Sequence, residues 1–73
     1  MRAGERGASE IEVVETIRLG ERFSAKLGRT GFRHNFTIDT VWRGRRYATK
    51  QIEAVAVIED GGWLVITVLV KFF

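Results

Sequence analysis

The chain has 73 residues, with twelve lysines and arginines, nine acidic residues, no cysteine and no proline. This length accommodates one small domain and excludes a second, and the missing cysteines exclude disulfides, thiolate catalysis and zinc–thiolate sites. A hydrophobic content of 45% excludes a disordered chain. Because so small a domain has a thin core, a contribution from a partner chain is expected.

The two ends of the chain bear on its location in the cell. Residues 1–10 carry four charges and no apolar run, which argues against a secretory signal. Residues 63–70 are too few to span a bilayer. The sequence therefore predicts a cytoplasmic protein without membrane contact.

A short helix is predicted near the N-terminus. Residues 9–12 match a capping box, in which Ser9 and Glu12 exchange hydrogen bonds between side chain and backbone. Gly20 suits the C-terminal end. The apolar arc of this helix comprises Ile11, Val13, Val14 and Ile17, with Glu12, Glu15 and Thr16 pointing away. A helix of two to three turns is unstable alone, so it must lie on an apolar surface.

The pattern changes to a period of two from Phe23 onward, which is typical of strands. Predicted strands cover residues 23–27, 32–39, 47–58 and 63–73. Tight turns are predicted at Arg43-Gly44 and Asp60-Gly61. These elements predict an α+β fold over residues 1–73, a single domain with one short N-terminal helix packed on a three- to four-stranded antiparallel sheet.

Two-residue loops at both turns fix a register. Carried through the strands, this register places two groups on opposite faces: Arg33, Lys50, Thr67 and Lys71 on one, His34 and Glu53 on the other. A one-residue error would exchange Arg33 and His34. Residues 65–70 carry apolar side chains on both faces of the sheet. One short helix cannot cover both of these faces. We therefore expect another protein surface to cover the second face, most simply a second copy of this chain in a homodimer.

Positive charge is concentrated in the middle of the chain. Residues 22–50 hold eight of the twelve basic side chains and one of the nine acidic ones, interleaved with aromatic residues. This pattern is typical of a surface that binds a polyanion, most often nucleic acid. The alternative is a solvated basic face without a partner.

Several segments together resemble a known family. They are residues 5–9 (Glu-Arg-Gly-Ala-Ser), 28–36 (Gly-Arg-Thr-Gly-Phe-Arg-His-Asn-Phe), 42–44 (Trp-Arg-Gly), 49–51 (Thr-Lys-Gln), 63–68 (Trp-Leu-Val-Ile-Thr-Val) and 71–73 (Lys-Phe-Phe). Over nearly its whole length the chain resembles a small bacterial domain family of unknown function placed near the RelE-like toxins, within the barnase, EndoU, colicin and RelE ribonuclease grouping.

This resemblance implies a helix on a four-stranded antiparallel sheet and RNA cleavage without a metal. It matches Lys50 to a basic catalytic residue on a central strand and Thr67 to a hydroxyl residue on the last strand. Relatives typically carry a histidine before the Arg-Gly motif, and this sequence has none there. The resemblance thus predicts either an upstream start of the reading frame, with an N-terminal segment lacking here, or the loss of that position.

The candidate residues each have a structural alternative. His34 suits acid–base catalysis, or equally an ion pair with Glu53. The catalytic candidates are therefore Lys50, Thr67 and His34, and the nucleic-acid-binding candidates are Arg29, Arg33, Arg43, Arg45, Arg46, Lys50 and Lys71. Trp42, Tyr47 and Trp63 could stack on bases or anchor a core. No P-loop, dinucleotide fingerprint or paired histidine ligands occur, so no cofactor or metal is expected.

Two hypotheses follow. The first is a RelE-like, toxin-type RNA-binding domain acting as a metal-independent endoribonuclease. The second is a non-catalytic interaction module whose terminal hairpin forms a homodimer or binds an antitoxin-like protein.

Overall fold

The computed structural model describes residues 7–73, so Glu5 and Arg6 of the quoted motif lie outside the described residues. Its elements are helix α1 (Glu10–Leu19), strand β1 (Glu21–Ser24), a 3-10 helix (Lys26–Gly28), and strands β2 (Thr30–Trp42), β3 (Arg45–Glu59) and β4 (Gly62–Phe72). The strands form one antiparallel sheet in the order β1-β2-β3-β4, and α1 packs on β2 and β3. The predicted α+β fold with one helix on a four-stranded sheet is confirmed.

Helix α1 begins where the capping box predicts. The Glu12 backbone N–H donates to Ser9 Oγ at 3.2 Å, and the Ser9 backbone N–H donates to Glu12 Oε1 at 2.9 Å. These two bonds satisfy donors that have no partner inside the helix.

The buried stripe of α1 differs from the predicted arc. Val13 and Thr16 are buried, whereas Ile11 is 73% exposed and Val14 is half-exposed. Thr16 is buried at little cost because its Oγ1 donates to the Glu12 carbonyl at 2.8 Å. At Gly20, which follows the helix, a Cβ would collide with the Thr16 carbonyl oxygen and would lie 2.6 Å from the Arg33 carbonyl oxygen. The glycine is thus needed for close approach to β2, since its φ of −76° is open to any residue.

Both predicted turns are two-residue hairpin loops. Trp42 pairs with Arg45 around the first turn, and Glu59 pairs with Gly62 around the second. Positive φ at both loop residues, 51° and 75° at Arg43-Gly44 and 52° and 77° at Asp60-Gly61, matches a type I′ turn.

Two irregularities nevertheless overturn the predicted register. In β2 the pairing shifts between Thr37 and Thr40, where Asp39 has a φ of +43°, and in β4 it shifts opposite the Val55–Ala56 step. Each bulge inserts one residue and exchanges the faces of everything beyond it. The hairpin loops are confirmed, but the predicted faces of β2 up to Thr37 and of β4 from Thr67 onward are wrong relative to β3.

The observed register defines two faces of the sheet. The covered face, beneath α1, carries Phe32, His34, Phe36, Lys50, Ile52, Ala54, Val68 and Val70. The open face carries Phe23, Arg33, Asn35, Gln51, Glu53, Val55, Val57, Leu64, Thr67, Leu69 and Lys71. The main buried cluster, built by Ala8, Val13, Ile52, Ala54 and Val68, lies on the covered face. Within residues 7–73 no helix or strand lies over the open face.

Candidate nucleic-acid interface

The first hairpin extends beyond the rest of the sheet as a two-stranded ribbon, defined here as residues 38–48. Strand β4 ends beside the ribbon's base, where the Phe73 N–H donates to the Thr49 carbonyl at 2.9 Å. Beyond that point β2 and β3 pair only with each other, for example at Val41 and Arg46. The ribbon contributes to the elongated shape of the molecule, whose principal extents are 43 × 21 × 19 Å.

Two arginines at the tip of the ribbon lie on aromatic rings. The Arg43 guanidinium carbon is 4.6 Å from the centre of the Trp42 ring, and the Arg45 carbon is 5.6 Å from the centre of the Tyr47 ring. Neither arginine has a carboxylate within 4 Å in the part of the chain that the structure describes. Trp42 is 58% exposed. The tip therefore presents oriented guanidinium groups beside an accessible indole.

Arg46 differs from its two neighbours in having an acidic partner. Its Nη1 lies 2.7 Å from Asp39 Oδ1, and both side chains are about two-thirds exposed. Asp39 also supplies the positive φ of the β2 bulge, a conformation that aspartate tolerates better than most residues. An aspartate within an apolar strand pattern was therefore the one sequence feature that could have predicted the bulge. The alternation of the strand residues alone did not indicate it.

The remaining nucleic-acid-binding candidates lie away from the tip. Arg29 precedes β2, far from the turn at Arg43 along that strand. On the open face, Arg33 Nη2 lies 3.3 Å from Glu53 Oε2 and its Nη1 lies 3.6 Å from Glu21 Oε1. Lys71 is an exposed residue of the same face. The seven candidates thus do not form one surface: Arg33 and Lys71 share the open face, and Arg43, Arg45 and Arg46 belong to the ribbon.

Lys50 lies on the covered face, where its ammonium group is held by the helix. Lys50 Nζ donates to Glu12 Oε1 at 2.9 Å, and its side chain is only 12% exposed. Burial raises the pKa of Glu12, but hydrogen bonds from Lys50 and Ser9 and the attraction of the Lys50 charge outweigh it, so the net pKa is lowered. This pair joins α1 to the sheet and was missed because Glu12 was assigned to the solvent side.

The three catalytic candidates are not brought together. Lys50 and His34 lie on the covered face, and Thr67 lies on the open face opposite Val55. The predicted grouping of Lys50 and Thr67 with Arg33 and Lys71 on one face is wrong. The bulge in β2 places Arg33 on the face opposite Lys50, and the bulge in β4 does the same for Thr67 and Lys71. Arg33, Thr67 and Lys71 still share one face, and Lys50 lies on the other.

His34 also lacks the predicted carboxylate neighbour. It pairs across the strands with Ile52, and its ring meets the Phe36 ring edge-on with centroids 4.8 Å apart. Glu53 instead lies opposite Arg33. A half-buried histidine packed on an aromatic ring fits a structural role.

Trp63, a third candidate for base stacking, belongs to the interior. Its ring meets the buried Phe32 ring edge-on at 5.0 Å, and the Arg22 guanidinium lies over both rings at 5.3 and 5.4 Å. This three-residue stack anchors β1 to the covered face beyond the end of α1. It leaves Trp42 as the more accessible indole of the two.

Comparisons with protein-family models, with curated proteins and with solved structures find no match for this chain. Among residues 7–73 no group of three acidic, histidine or cysteine side chains is placed to hold a metal ion. No helix in that part of the chain has the length and hydrophobicity needed to cross a membrane.

Proposed function

We propose that this chain is an RNA-binding domain whose principal contact is the tip of the ribbon. The observation that carries the proposal is the pair Arg43 and Arg45, which lie on aromatic rings next to the exposed Trp42 and have no acidic partner among residues 7–73. Arginine forks bind phosphate oxygens through two parallel N–H groups, and an accessible indole can stack on an unpaired base.

Single-stranded RNA is the proposed ligand. Stacking on Trp42 requires a base that is not already inside a duplex, and the family resemblance favours RNA over DNA. The contacts available at the tip are to phosphates and to one base plane, so we expect little sequence preference. Cleavage is not included in the proposal, because Lys50 is bound to Glu12 and is on the opposite face from Thr67.

The test is fluorescence anisotropy with a labelled single-stranded RNA over a series of salt concentrations. Replacing both tip arginines, Arg43→Ala with Arg45→Ala, should weaken binding about tenfold or more, and it should reduce the slope of log K against log salt by roughly 1.4, at about 0.7 per phosphate contact. The matched control is Arg18→Ala with Lys26→Ala, which removes the same charge from exposed positions outside the ribbon.

Equal weakening in the control pair would show that net charge, and not the tip, drives binding, and would refute the proposal. Trp42→Ala should separately weaken binding by about 1–3 kcal/mol, the usual range for base stacking. Tighter binding of duplex DNA than of single-stranded RNA would refute the choice of ligand.

A second candidate function is that of an interaction module. It is favoured by the open face, where Leu64 and Leu69 are 49% and 51% exposed on a sheet with no covering element among the described residues. An antitoxin-like protein or a second copy could use this surface.

A further inference from the structure

The open face combines an apolar centre with polar groups that already have partners. The centre consists of Val55, Val57, Leu64 and Leu69, on adjacent strands β3 and β4. Beside it, Phe23 lies flat over Gly31, where a side chain on the glycine would collide with the ring. This flat, largely apolar centre has the character of a sheet surface that packs on another sheet.

Several polar groups of the open face already have partners on the same face. Arg33 is paired with Glu53 and Glu21, and Gln51 Nε2 donates to Asn35 Oδ1 at 3.0 Å. Burying a paired charge costs less than burying one that has no partner. These groups therefore do not prevent a second protein surface from covering the face.

Charges at the two ends of the apolar centre differ in sign. Lys71, opposite Gln51, lies at the end nearest the ribbon, and Glu59, opposite Gly62, lies at the end nearest the second turn. A two-fold rotation about an axis that crosses the strands at the centre reverses these ends. It therefore brings Lys71 of each copy towards Glu59 of the other.

The size of the open face also suits a second copy. At about 3.3 Å per residue and about 4.8 Å between strands, the four strands offer roughly 500 Å² of flat sheet, to which protruding side chains add. A standard interface buries about 800 Å² on each partner. Since the buried core is confined to the covered face, covering the open face would also compensate for the thin core of a 73-residue domain.

We infer that the open face packs face to face on the open face of a second copy of this chain, with Lys71 and Glu59 pairing across the two-fold axis. The inference rests on the second candidate function and is independent of RNA binding by the ribbon. In this arrangement the two ribbons point in opposite directions, so their tips remain free.

The experiment is sedimentation equilibrium of the full chain at micromolar concentrations, where interfaces of this size are populated. The wild-type protein should be a dimer. Leu64→Lys should raise the dimer dissociation constant about 100-fold or more, because it would bury an unpaired ammonium group. The matched control, Ile11→Lys, alters an exposed apolar residue of α1 and should leave the dimer unchanged.

Charge reversal tests the predicted orientation. Lys71→Glu and Glu59→Lys should each weaken the dimer, because each places like charges together, and the double variant should recover most of the loss. Every variant should remain folded, because these positions are exposed. Circular dichroism of each variant checks this.

A strictly monomeric wild-type protein would overturn the inference. So would a dimer that is insensitive to Leu64→Lys, as expected if the free edges of β4 paired instead. Additive losses in the charge-reversal pair would refute the proposed two-fold arrangement. Anisotropy with RNA, which depends on the tip arginines, distinguishes any of these results from a failure of the RNA-binding proposal.

Discussion

The two faces of the same sheet differ in how their side chains are used. On the covered face Ile52, Ala54 and Ala56 are fully buried, and the one lysine, Lys50, is tied to the helix through Glu12. On the open face, Leu69 is half-exposed and Lys71 is exposed, although both alternate along β4 with the covered-face residues Val68 and Val70. The burial and partners of a side chain in this sheet therefore depend on the face it occupies and not on its residue type alone.

The body of the domain and the ribbon also differ, in the partners of their arginine side chains. Arg33, in the body, is paired with Glu53 and Glu21, whereas Arg43 and Arg45, at the tip, lie on aromatic rings and have no carboxylate within 4 Å among the described residues. Arg22 also lies on rings, but these are Phe32 and Trp63 of the interior. A cation balanced by an acid contributes little to attracting a polyanion, while one without an acidic partner contributes fully. This contrast is why the tip, and not the whole basic segment, carries the proposed RNA contact.

The largest expected difference between the faces is in apolar packing. Ile52→Ala should lower the free energy of unfolding by about 3 kcal/mol, because it leaves a cavity beneath α1. Leu69→Ala should lower it by less than about 1 kcal/mol, because half of that side chain is already in water. Urea unfolding in dilute protein, where association does not contribute, measures both. Similar losses in the two variants would contradict the division into a covered and an open face.

A smaller difference is expected between the two lysines. Lys50→Ala should lower the free energy of unfolding by about 2 kcal/mol, because the partly buried Glu12 loses its charged partner and keeps only its hydrogen bonds from Ser9. Lys71→Ala should change the monomer's stability by no more than about 0.5 kcal/mol. Combining Lys50→Met with Glu12→Gln should recover part of the loss, since no charge then remains without a partner.

Consequently, Lys50→Ala is a poor test of the ribonuclease hypothesis. Loss of cleavage in that variant could reflect loss of the fold as well as loss of a catalytic group. Thermal unfolding of the variant, measured beside any cleavage assay, separates the two effects. An undiminished melting temperature for Lys50→Ala would contradict a stabilising role for its ion pair.

The smallest predicted effect is a pH dependence of stability from Glu12. Because its pKa is lower in the folded than in the unfolded chain, its contribution is complete at neutral pH and is lost as the pH falls below about 5 and passes through the folded pKa. Glu12→Gln should show a shallower decline in unfolding free energy over this range. As a control, Glu10→Gln, at an exposed helix position, should retain the wild-type slope. Identical slopes in all three proteins would contradict the lowered pKa.

Local features of the fold were predictable from residues close together in the chain. The capping box at Ser9 and Glu12 and the turns at Arg43-Gly44 and Asp60-Gly61 were predicted and are confirmed. Each depends on short-range hydrogen bonds or on the φ preference of one or two residues. The proposals of a RelE-like relationship, RNA binding and self-association stay predictions.

Two other features were predicted less well. Leu27 was placed in a strand but lies in a 3-10 turn with a φ of 61° and is 84% exposed. The arc of α1 was also misjudged: Val13 and Thr16 are buried, and Ile11 is exposed. The buried side of a helix is decided by the surface on which it packs, and here that surface is formed by β2 and β3, which lie elsewhere in the chain.

The sequence by itself determined the elements of this protein, its turns and the concentration of positive charge in its middle. Only the tertiary structure decided which face each side chain occupies, because strand periodicity carries no information about a single inserted residue. Bulges near Asp39 and opposite Val55 each add one such residue and reverse every later assignment. They place Lys50 beneath the helix and Thr67 on the open face, and so determine which residues can act together.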